Sequence, residues 1–229
     1  KCRIANCGVN GISLSAAQGE LEVPTEDSTV SKCRISMCDD DGIEIGGHRN
    51  TVEKCRIKQC EDDGVDIDDS VVMSSGNRVV GCRVKVLGDE GFEIEGTGNS
   101  VENCMAALCG SDGFDIEGPS NHLVKCKAVR AHDAGIEVEG PDCSITGCKV
   151  VKSSHVGIWV YAVGIGTHVT DSKAVKSVEA GVYVEEGATG CVFENVKAAK
   201  SGVMDIQDDN GPGVNTYTDC KAKQSNVPL

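Results

Sequence analysis

The chain has 229 residues, with 36 acidic side chains against 22 lysines and arginines, which gives a formal net charge of −14. This excess of negative charge disfavours nonspecific binding to nucleic acid or to an anionic membrane surface. No apolar run approaches the roughly 20 residues that a membrane-spanning helix needs. The 28 glycines and the 3% aromatic content favour short strands and tight turns over a helical bundle.

One short phrase recurs about every 22 residues and divides the chain into repeats. A cysteine, usually followed by a basic and then an apolar residue, opens each repeat at Cys33, Cys55, Cys82, Cys104, Cys126 and Cys148. A Gly-apolar-polar-apolar phrase follows, beginning at Gly42, Gly64, Gly91, Gly113 and Gly135. An asparagine precedes four of the cysteines, at Asn50, Asn77, Asn99 and Asn121. A constant period of this kind predicts stacked structural units in one elongated domain.

Each repeat contains three short segments in which apolar and polar residues alternate, separated by Gly, Asn and Asp. This pattern predicts three short strands in each repeat. Because every strand recurs one repeat later, we expect parallel pairing between successive coils, with the asparagines stacked at a corner. Longer repeats predict lateral loops at residues 16–27 and 68–76 of a single domain, residues 1–229. Since the chain starts inside a repeat, we expect it to be a processed or truncated piece of a longer chain.

The pattern Asn-x-Val-x-x-Cys-x-Ile followed by Gly-Ile-x-Ile resembles the short repeats of the pectate-lyase-like right-handed parallel β-helix superfamily, of the carbohydrate-binding and sugar-hydrolase type. The resemblance covers nearly the whole chain. It implies an all-β, single-stranded right-handed parallel β-helix of about nine to ten coils, with roughly 22–24 residues per coil. Since this solenoid carries lyases, hydrolases, epimerases and proteins without catalytic activity, the resemblance predicts the fold more specifically than the function.

The 14 cysteines fall into columns of the repeat, and small or apolar residues replace them in other repeats. This replacement favours unpaired thiols that fill the interior, with some disulfides as the alternative. No CxxC pair or cluster of histidines accompanies them, which disfavours a metal site made of thiolates.

Carboxylates recur in columns of the Gly-apolar-polar-apolar phrase, where stacked coils bring equivalent side chains about 4.8 Å apart. Their repulsion can be offset in three ways, namely by solvent screening, by raised pKa values that support acid–base catalysis, or by bound Ca²⁺. The candidate calcium ligands are Asp63, Asp66, Glu90, Glu93, Asp112 and Asp115. A column of arginines and lysines follows the cysteines and lies on a different face, where it is either solvated or paired with acids.

Aromatic side chains replace the carboxylates in the seventh coil. Trp159, Tyr161 and Tyr183 are predicted to point outward and, with Glu185, to form a surface on which a sugar ring can stack. Neighbouring candidates for catalysis are Glu137, Glu139, Asp133 and His155. Alternatively, a lateral loop or a partner subunit covers this aromatic patch.

The sequence is compatible with two alternative functions. The first is a carbohydrate-related β-helix, a polysaccharide lyase or glycoside hydrolase that binds a polysaccharide or oligosaccharide along the acidic and aromatic face. The second is a noncatalytic extracellular or appendage solenoid for adhesion or assembly, with lateral or end-to-end oligomers. The sequence does not specify a compartment, although an extracellular or cell-surface location is slightly favoured.

Overall fold

In the computed structural model, residues 2–15, 24–70 and 73–229 are described, and they form a parallel β-solenoid without helices. The predicted loop at 16–27 therefore lies mostly outside the described residues, and residues 71 and 72 of the second loop do as well. Within the described part of the chain, each of three parallel sheets has nine strands, which corresponds to eight full turns. The fold class is confirmed, with slightly fewer coils than the nine to ten predicted.

Sheet 1 carries the residues that follow the cysteines. Its strands are Arg3–Cys7, Arg34–Cys38, Arg56–Lys58, Arg83–Lys85, Met105–Ala107, Lys127–Val129, Lys149–Val151, Lys173–Val175 and Lys197–Ala199. Sheet 2 carries the acidic and aromatic columns. Its strands are Ile12–Leu14, Ile43–Ile45, Val65–Ile67, Phe92–Ile94, Asp115–Ile116, Ile136–Val138, Ile158–Val160, Ala180–Val184 and Met204–Asp208.

Sheet 3 contains the strands that follow the asparagine column. They are Thr29–Ser31, Thr51–Glu53, Arg78–Val80, Ser100–Glu102, His122–Val124, Ser144–Thr146, His168–Thr170, Val192–Glu194 and Thr216–Thr218. A small additional pair, Thr25–Glu26 with Gly47–His48, lies beside the first coils. The strands of successive coils pair without a register shift. Residues at the same position of successive repeats are therefore stacked on one another in the structure, and we call each such stack a column.

The core between the three sheets consists of the alternating apolar residues, with Phe92 and Phe114 stacked at a centroid distance of 4.8 Å. The glycine column permits close packing of neighbouring coils. A Cβ atom at Gly113 would lie 2.5 Å from the carbonyl oxygen of Gly135 and 2.6 Å from the Cβ of Ala128. Glycine is therefore required at Gly113 because a side chain has no room there, and the glycine column runs along sheet 2 as far as Gly181, after which Asp205 takes the position.

The asparagine column satisfies backbone groups at a corner, as predicted. The backbone N–H groups of Asn50, Asn77 and Asn99 donate to the side-chain oxygen of the asparagine in the next coil, at 2.7 to 2.8 Å. All four asparagines are buried, where an unpaired N–H group would be costly.

All 14 cysteines lie in the described part of the chain, and none of them is in a disulfide there. The leading cysteines form a buried stack in which one backbone N–H faces the Sγ of the next coil, for example Cys82 toward Cys104 at 3.3 Å. Ser172 continues the stack, because its hydroxyl accepts the N–H of Cys148 at 3.0 Å. Serine and thiol are therefore equivalent fillers at this corner.

Candidate functional site

Trp159, Tyr161 and Tyr183 lie together on sheet 2. The rings of Trp159 and Tyr161 stack at a centroid distance of 4.4 Å, and Tyr183 lies 5.7 Å from Trp159 in the next coil. The three rings are half-buried, because they pack on one another rather than standing free in solvent. We call these three residues the aromatic surface.

His155 connects the aromatic surface to two carboxylates at the neighbouring corner. Its Nδ1 lies 2.9 Å from Asp133, its Nε2 lies 2.8 Å from Glu179, and its ring packs edge-on against Trp159 at 5.0 Å. Both contacts are hydrogen bonds only when the imidazole ring carries two protons. The two carboxylates thus hold the imidazole ring against the indole ring of Trp159.

Glu137 precedes Trp159 in the same column, with which it pairs in direct register. Its carboxyl group is buried, and this burial, together with the charges of Asp112 and Asp115, raises its pKa to about 9. The group is therefore protonated at neutral pH and can donate a proton. Glu139 lies two residues further on and is half-buried, beside the coil that carries Tyr161.

The two tyrosine hydroxyl groups lie within the acidic surroundings of the site. Burial, followed by the charges of Glu137 and Glu139, raises the pKa of Tyr161, so its phenol stays protonated at neutral pH. The hydroxyl of Tyr183 donates to Asp209 at 2.8 Å. Glu185 accepts the backbone N–H of Ala162 at 3.1 Å, which fixes its carboxylate beside Tyr161.

A shallow depression of about 180 Å³ lies beside the aromatic surface. It is lined by His155, Glu179, Tyr183, Gln207 and neighbouring apolar residues. The structure thus gathers all eight predicted binding and catalytic residues on sheet 2 and its corner, in the sixth to eighth coils.

Three of the six candidate calcium ligands form one cluster. Carboxylate oxygens of Glu90, Asp112 and Asp115 lie within 4.8 Å of one another. Asp115 is 8% exposed, and among the described residues its Oδ1 has no hydrogen-bond partner. Burial, followed by the charge of Asp112, raises its pKa to about 8. The cluster therefore contains an unsatisfied buried acceptor that faces other carboxylates.

Of the remaining three candidates, Asp63 and Asp66 lie in the coil before this cluster, and Glu93 lies in the coil of Glu90 and pairs in register with Asp115. Asp66 pairs in register with Glu93, and burial raises the pKa of Asp66 to about 9. Asp63 is buried, and its Oδ1 accepts the backbone N–H of Glu90 at 2.7 Å. Asp63 therefore performs at this corner the backbone-satisfying role that asparagine performs at the other corner.

Sequence reasoning missed Glu179 and Asp209. Glu179 stands 24 residues after His155, in the same repeat column as Asp133 and His155. Asp209 stands 24 residues after Glu185, again in one column. The signal that identifies both residues was the period itself, applied to the late coils where the repeat lengthens from about 22 to 24 residues. A second carboxylate cluster, formed by Asp40, Asp41 and Asp62, was also not predicted.

The chain belongs to the right-handed β-helix family. The family model described as "Right handed beta helix region" matches residues 1–113 and 74–198. Among the described residues, no helix is long and apolar enough to cross a membrane. A search found no similar sequence among proteins with curated descriptions.

Several solved structures share this fold. The catalytic domain of a GH87 α-1,3-glucanase in complex with tetrasaccharides has 15% identity and a TM-score of 0.68, over 89% of this chain and 46% of that chain. The A-module of the Azotobacter vinelandii mannuronan C-5 epimerase AlgE4 has 12% identity and a TM-score of 0.68, over 99% and 78%. Pectate lyase Pel9A has 14% identity and a TM-score of 0.54, over 99% and 70%. The chain spans about half of the length of the glucanase domain.

Proposed function

We propose that the chain binds a polysaccharide across the aromatic surface and that it is part of a glycoside hydrolase. The observation that carries this proposal is the interruption of one carboxylate column by Trp159 and Tyr183, and of the neighbouring column by Tyr161, directly beside the protonated Glu137. Aromatic rings present apolar faces to the C–H groups of a sugar, and the surrounding carboxylates accept hydrogen bonds from its hydroxyl groups. Structural neighbours that act on or bind saccharides support the same class of ligand.

Glu137 fits the role of general acid, because burial keeps its carboxyl group protonated at neutral pH. Hydrolysis of a glycosidic bond needs such an acid and a second carboxylate that acts as base or nucleophile. Glu139 and Asp133, both half-buried and on the same side of the site, are the candidates for the second group. A lyase instead needs a basic side chain that removes a proton, and His155 is already held by two carboxylates. Hydrolysis is therefore favoured over elimination.

The acidic surroundings also favour a neutral glycan over an anionic one, because a uronate would meet carboxylates in every adjacent coil. An α-1,3-glucan is a suitable first probe, since a glucanase of this specificity shares the fold. Binding can be measured by affinity electrophoresis and by isothermal titration calorimetry with oligosaccharides.

The test compares Trp159→Ala with Val163→Ala, an exposed apolar residue in the same coil. Trp159→Ala should lower saccharide affinity by about tenfold or more, which corresponds to the loss of one stacking contact of roughly 1.4 kcal/mol. Val163→Ala should leave the affinity unchanged. Unchanged affinity in Trp159→Ala would refute the binding site.

Catalysis is tested separately with Glu137→Gln. This variant should retain saccharide binding and lose the release of new reducing ends, because glutamine keeps the shape of the protonated carboxyl group but has no proton to transfer. Binding without turnover in the unmodified chain would favour the noncatalytic solenoid. The regular columns of the remaining coils are consistent with that second function.

We further propose that Glu90, Asp112 and Asp115 hold a calcium ion. Calcium takes oxygen ligands, favours clustered carboxylates, and would supply the partner that Asp115 Oδ1 lacks. Asp112 Oδ1 accepts the backbone N–H of Ala134, and Asp112 Oδ2 accepts the hydroxyl of Ser111, so an ion held by Oδ2 would share that oxygen with the hydroxyl group. The expected role is to stabilise sheet 2.

A further inference from the structure

Most of the chain's 22 lysines and arginines lie on one side of the solenoid. This basic face consists of sheet 1 and its two corners. Its members in the sheet are Arg3, Arg34, Arg56, Lys58, Arg83, Lys85, Lys127, Lys149, Lys173 and Lys197, with Lys221 in the following coil. Its members at the corners are Lys32, Lys54, Lys125, Arg130, Lys152, Lys176 and Lys200.

The cations of the central column are direct neighbours in the parallel register. Arg34 pairs with Arg3 and with Arg56, and Arg56 pairs with Arg83. The lysines of the later coils continue the column, which only Met105 interrupts. Equivalent side chains are therefore about 4.8 Å apart along a row of about 38 Å.

The structure leaves this charge almost entirely unneutralised. Among the described residues, Lys54 is the only member of the basic face with a carboxylate within 4.0 Å, namely that of Glu53. The strands of sheet 1 contain no acidic and no aromatic residue. Adjacent cations at this spacing repel by about 1 kcal/mol in water. The corner column of Lys32, Lys54 and Lys125 ends in Asp171 and Asp219, but sheet 1 itself keeps this repulsion along its strands and is therefore suited to a long anionic partner.

Two depressions flank the arginine part of the column. The first depression is lined by Arg3, Arg34, Arg56 and Lys58 together with neighbouring apolar side chains, and it has a volume of about 350 Å³. The other lies on the opposite side of Arg34 and Arg56, against Lys32 and Lys54. An anionic group in either depression can therefore be approached by several cationic side chains at once, and arginine can bind a carboxylate or a sulfate through two hydrogen bonds.

We propose that the basic face binds a linear anionic polysaccharide that lies along the solenoid axis. Such a polymer presents acidic groups at intervals of one or two sugar units, a spacing of the same order as the rise of one coil. Each coil can then neutralise one acidic group while counterions are released from both partners. This surface lies on a different sheet from the aromatic surface, so its ligand and that of the proposed hydrolase site are independent.

Nucleic acid fits the basic face less well, because the strands of sheet 1 offer no aromatic ring for base stacking. A second copy of this chain also fits less well. The carboxylate column of sheet 2 ends at Glu137 and continues as Trp159, Tyr183 and Gln207, whereas the cations continue to Lys197, so the two columns do not match along the rod.

The experiment measures binding of the full chain to polygalacturonate and to heparin in the presence of a chelator, between about 50 and 200 mM NaCl. Dextran serves as the neutral polymer, and duplex and single-stranded DNA as alternative polyanions. The test variant replaces Arg34, Arg56 and Arg83 by glutamine. The control variant replaces Arg49 and Arg78, which are ion-paired away from the basic face, by glutamine. Circular dichroism and melting curves confirm that both variants are folded.

The test variant should lose about tenfold or more in affinity for the anionic polysaccharides and show a shallower dependence on salt, whereas the control should not. Trp159→Ala should bind them as the unmodified chain does, which separates this inference from the proposed hydrolase site. Equal loss in the control variant, tighter binding to DNA than to the polysaccharides, or absence of binding at low salt would each overturn the proposal. Self-association that disappears in the test variant would instead assign the basic face to a second copy of the chain.

Discussion

At the scale of single residues, Glu137 combines burial with a position next to the aromatic surface. Its pKa of about 9 exceeds the ordinary value of 4.5, so the folded chain retains a proton that the unfolded chain releases. Its contribution to stability is therefore fully present below about pH 4.5 and is lost as the pH rises toward 9. The loss reaches at most about 1.4 kcal/mol per pH unit in this window.

Glu137→Gln should remove this dependence. The free energy of unfolding of the variant, relative to that of the unmodified chain, should increase between pH 6 and pH 8, because glutamine needs no proton to remain neutral. Urea denaturation in the presence of a chelator at several pH values measures the difference. Glu186→Gln, at an exposed position, is the matched control and should show a constant difference. A constant difference in Glu137→Gln as well would contradict a raised pKa.

The sequence predicted on which face of the solenoid each site residue lies, but not which side chains it contacts. The alternation of side chains along a strand was sufficient to place Trp159, Tyr161 and Tyr183 together. It assigns each residue to the inner or outer face of the sheet, and the repeat period stacks equivalent residues of successive coils. It could not show that the rings would stack on one another, nor that His155 would bridge Asp133 and Glu179. Those contacts depend on side-chain rotamers, which a repeat pattern does not encode.

At the scale of structural elements, the strands, the glycine column and the asparagine corner followed directly from the pattern, whereas the backbone conformation at the corners of sheet 1 did not. Lys54, Lys125 and Lys152 adopt positive φ angles of 53 to 65°, a conformation usually reserved for glycine and asparagine. Nothing about lysine predicts this conformation. It is imposed by the strands on both sides of the corner, whose pairing with the neighbouring coils leaves the connecting residue no other path.

Sheet 2 should respond to calcium as a unit. Protons and Ca²⁺ compete for Glu90, Asp112 and Asp115, so millimolar Ca²⁺ should raise the melting temperature more at pH 8 than at pH 6. At 100 times the dissociation constant the stabilisation should be about 2.7 kcal/mol. Differential scanning calorimetry with and without a chelator measures the shift.

Asp115→Asn should abolish the calcium shift, because the unsatisfied oxygen of Asp115 is the ligand that the ion would complete. Glu117→Gln removes one negative charge from an exposed position in the same coil and should leave the shift intact. An equal response in the two variants would mean that calcium only screens the acidic sheet. Mg²⁺ should act more weakly, since it loses its bound water less readily.

At the scale of the whole molecule, one period determines both the fold and the distribution of charge. Every coil repeats the same residue types on the same face, so acids accumulate on sheet 2 and cations on sheet 1. Only sheet 2 relieves this repulsion by holding some of its side chains in the neutral form. Sheet 2 buries carboxyl groups such as those of Asp115 and Glu137 in their neutral form. The guanidinium groups of the basic face cannot lose their protons near neutral pH, and they keep their full repulsion.

This difference predicts that the basic face limits the stability of the unliganded rod. Arg56→Glu places an opposite charge between Arg34 and Arg83 and should raise the melting temperature at low salt, with a gain of about 0.2 to 1 kcal/mol for each new cross-strand pair. The gain should shrink above about 0.1 M NaCl, where screening acts within about 10 Å.

Arg49→Glu makes the same charge change but breaks the ion pairs with Glu26 and Asp27, so it should lower the melting temperature. If the melting temperatures of both variants change in the same direction, the change is caused by the net charge of the chain and not by repulsion within the cation column. If Arg56→Glu alone gains stability and also loses affinity for anionic polysaccharide, the unpaired column serves binding at the expense of stability.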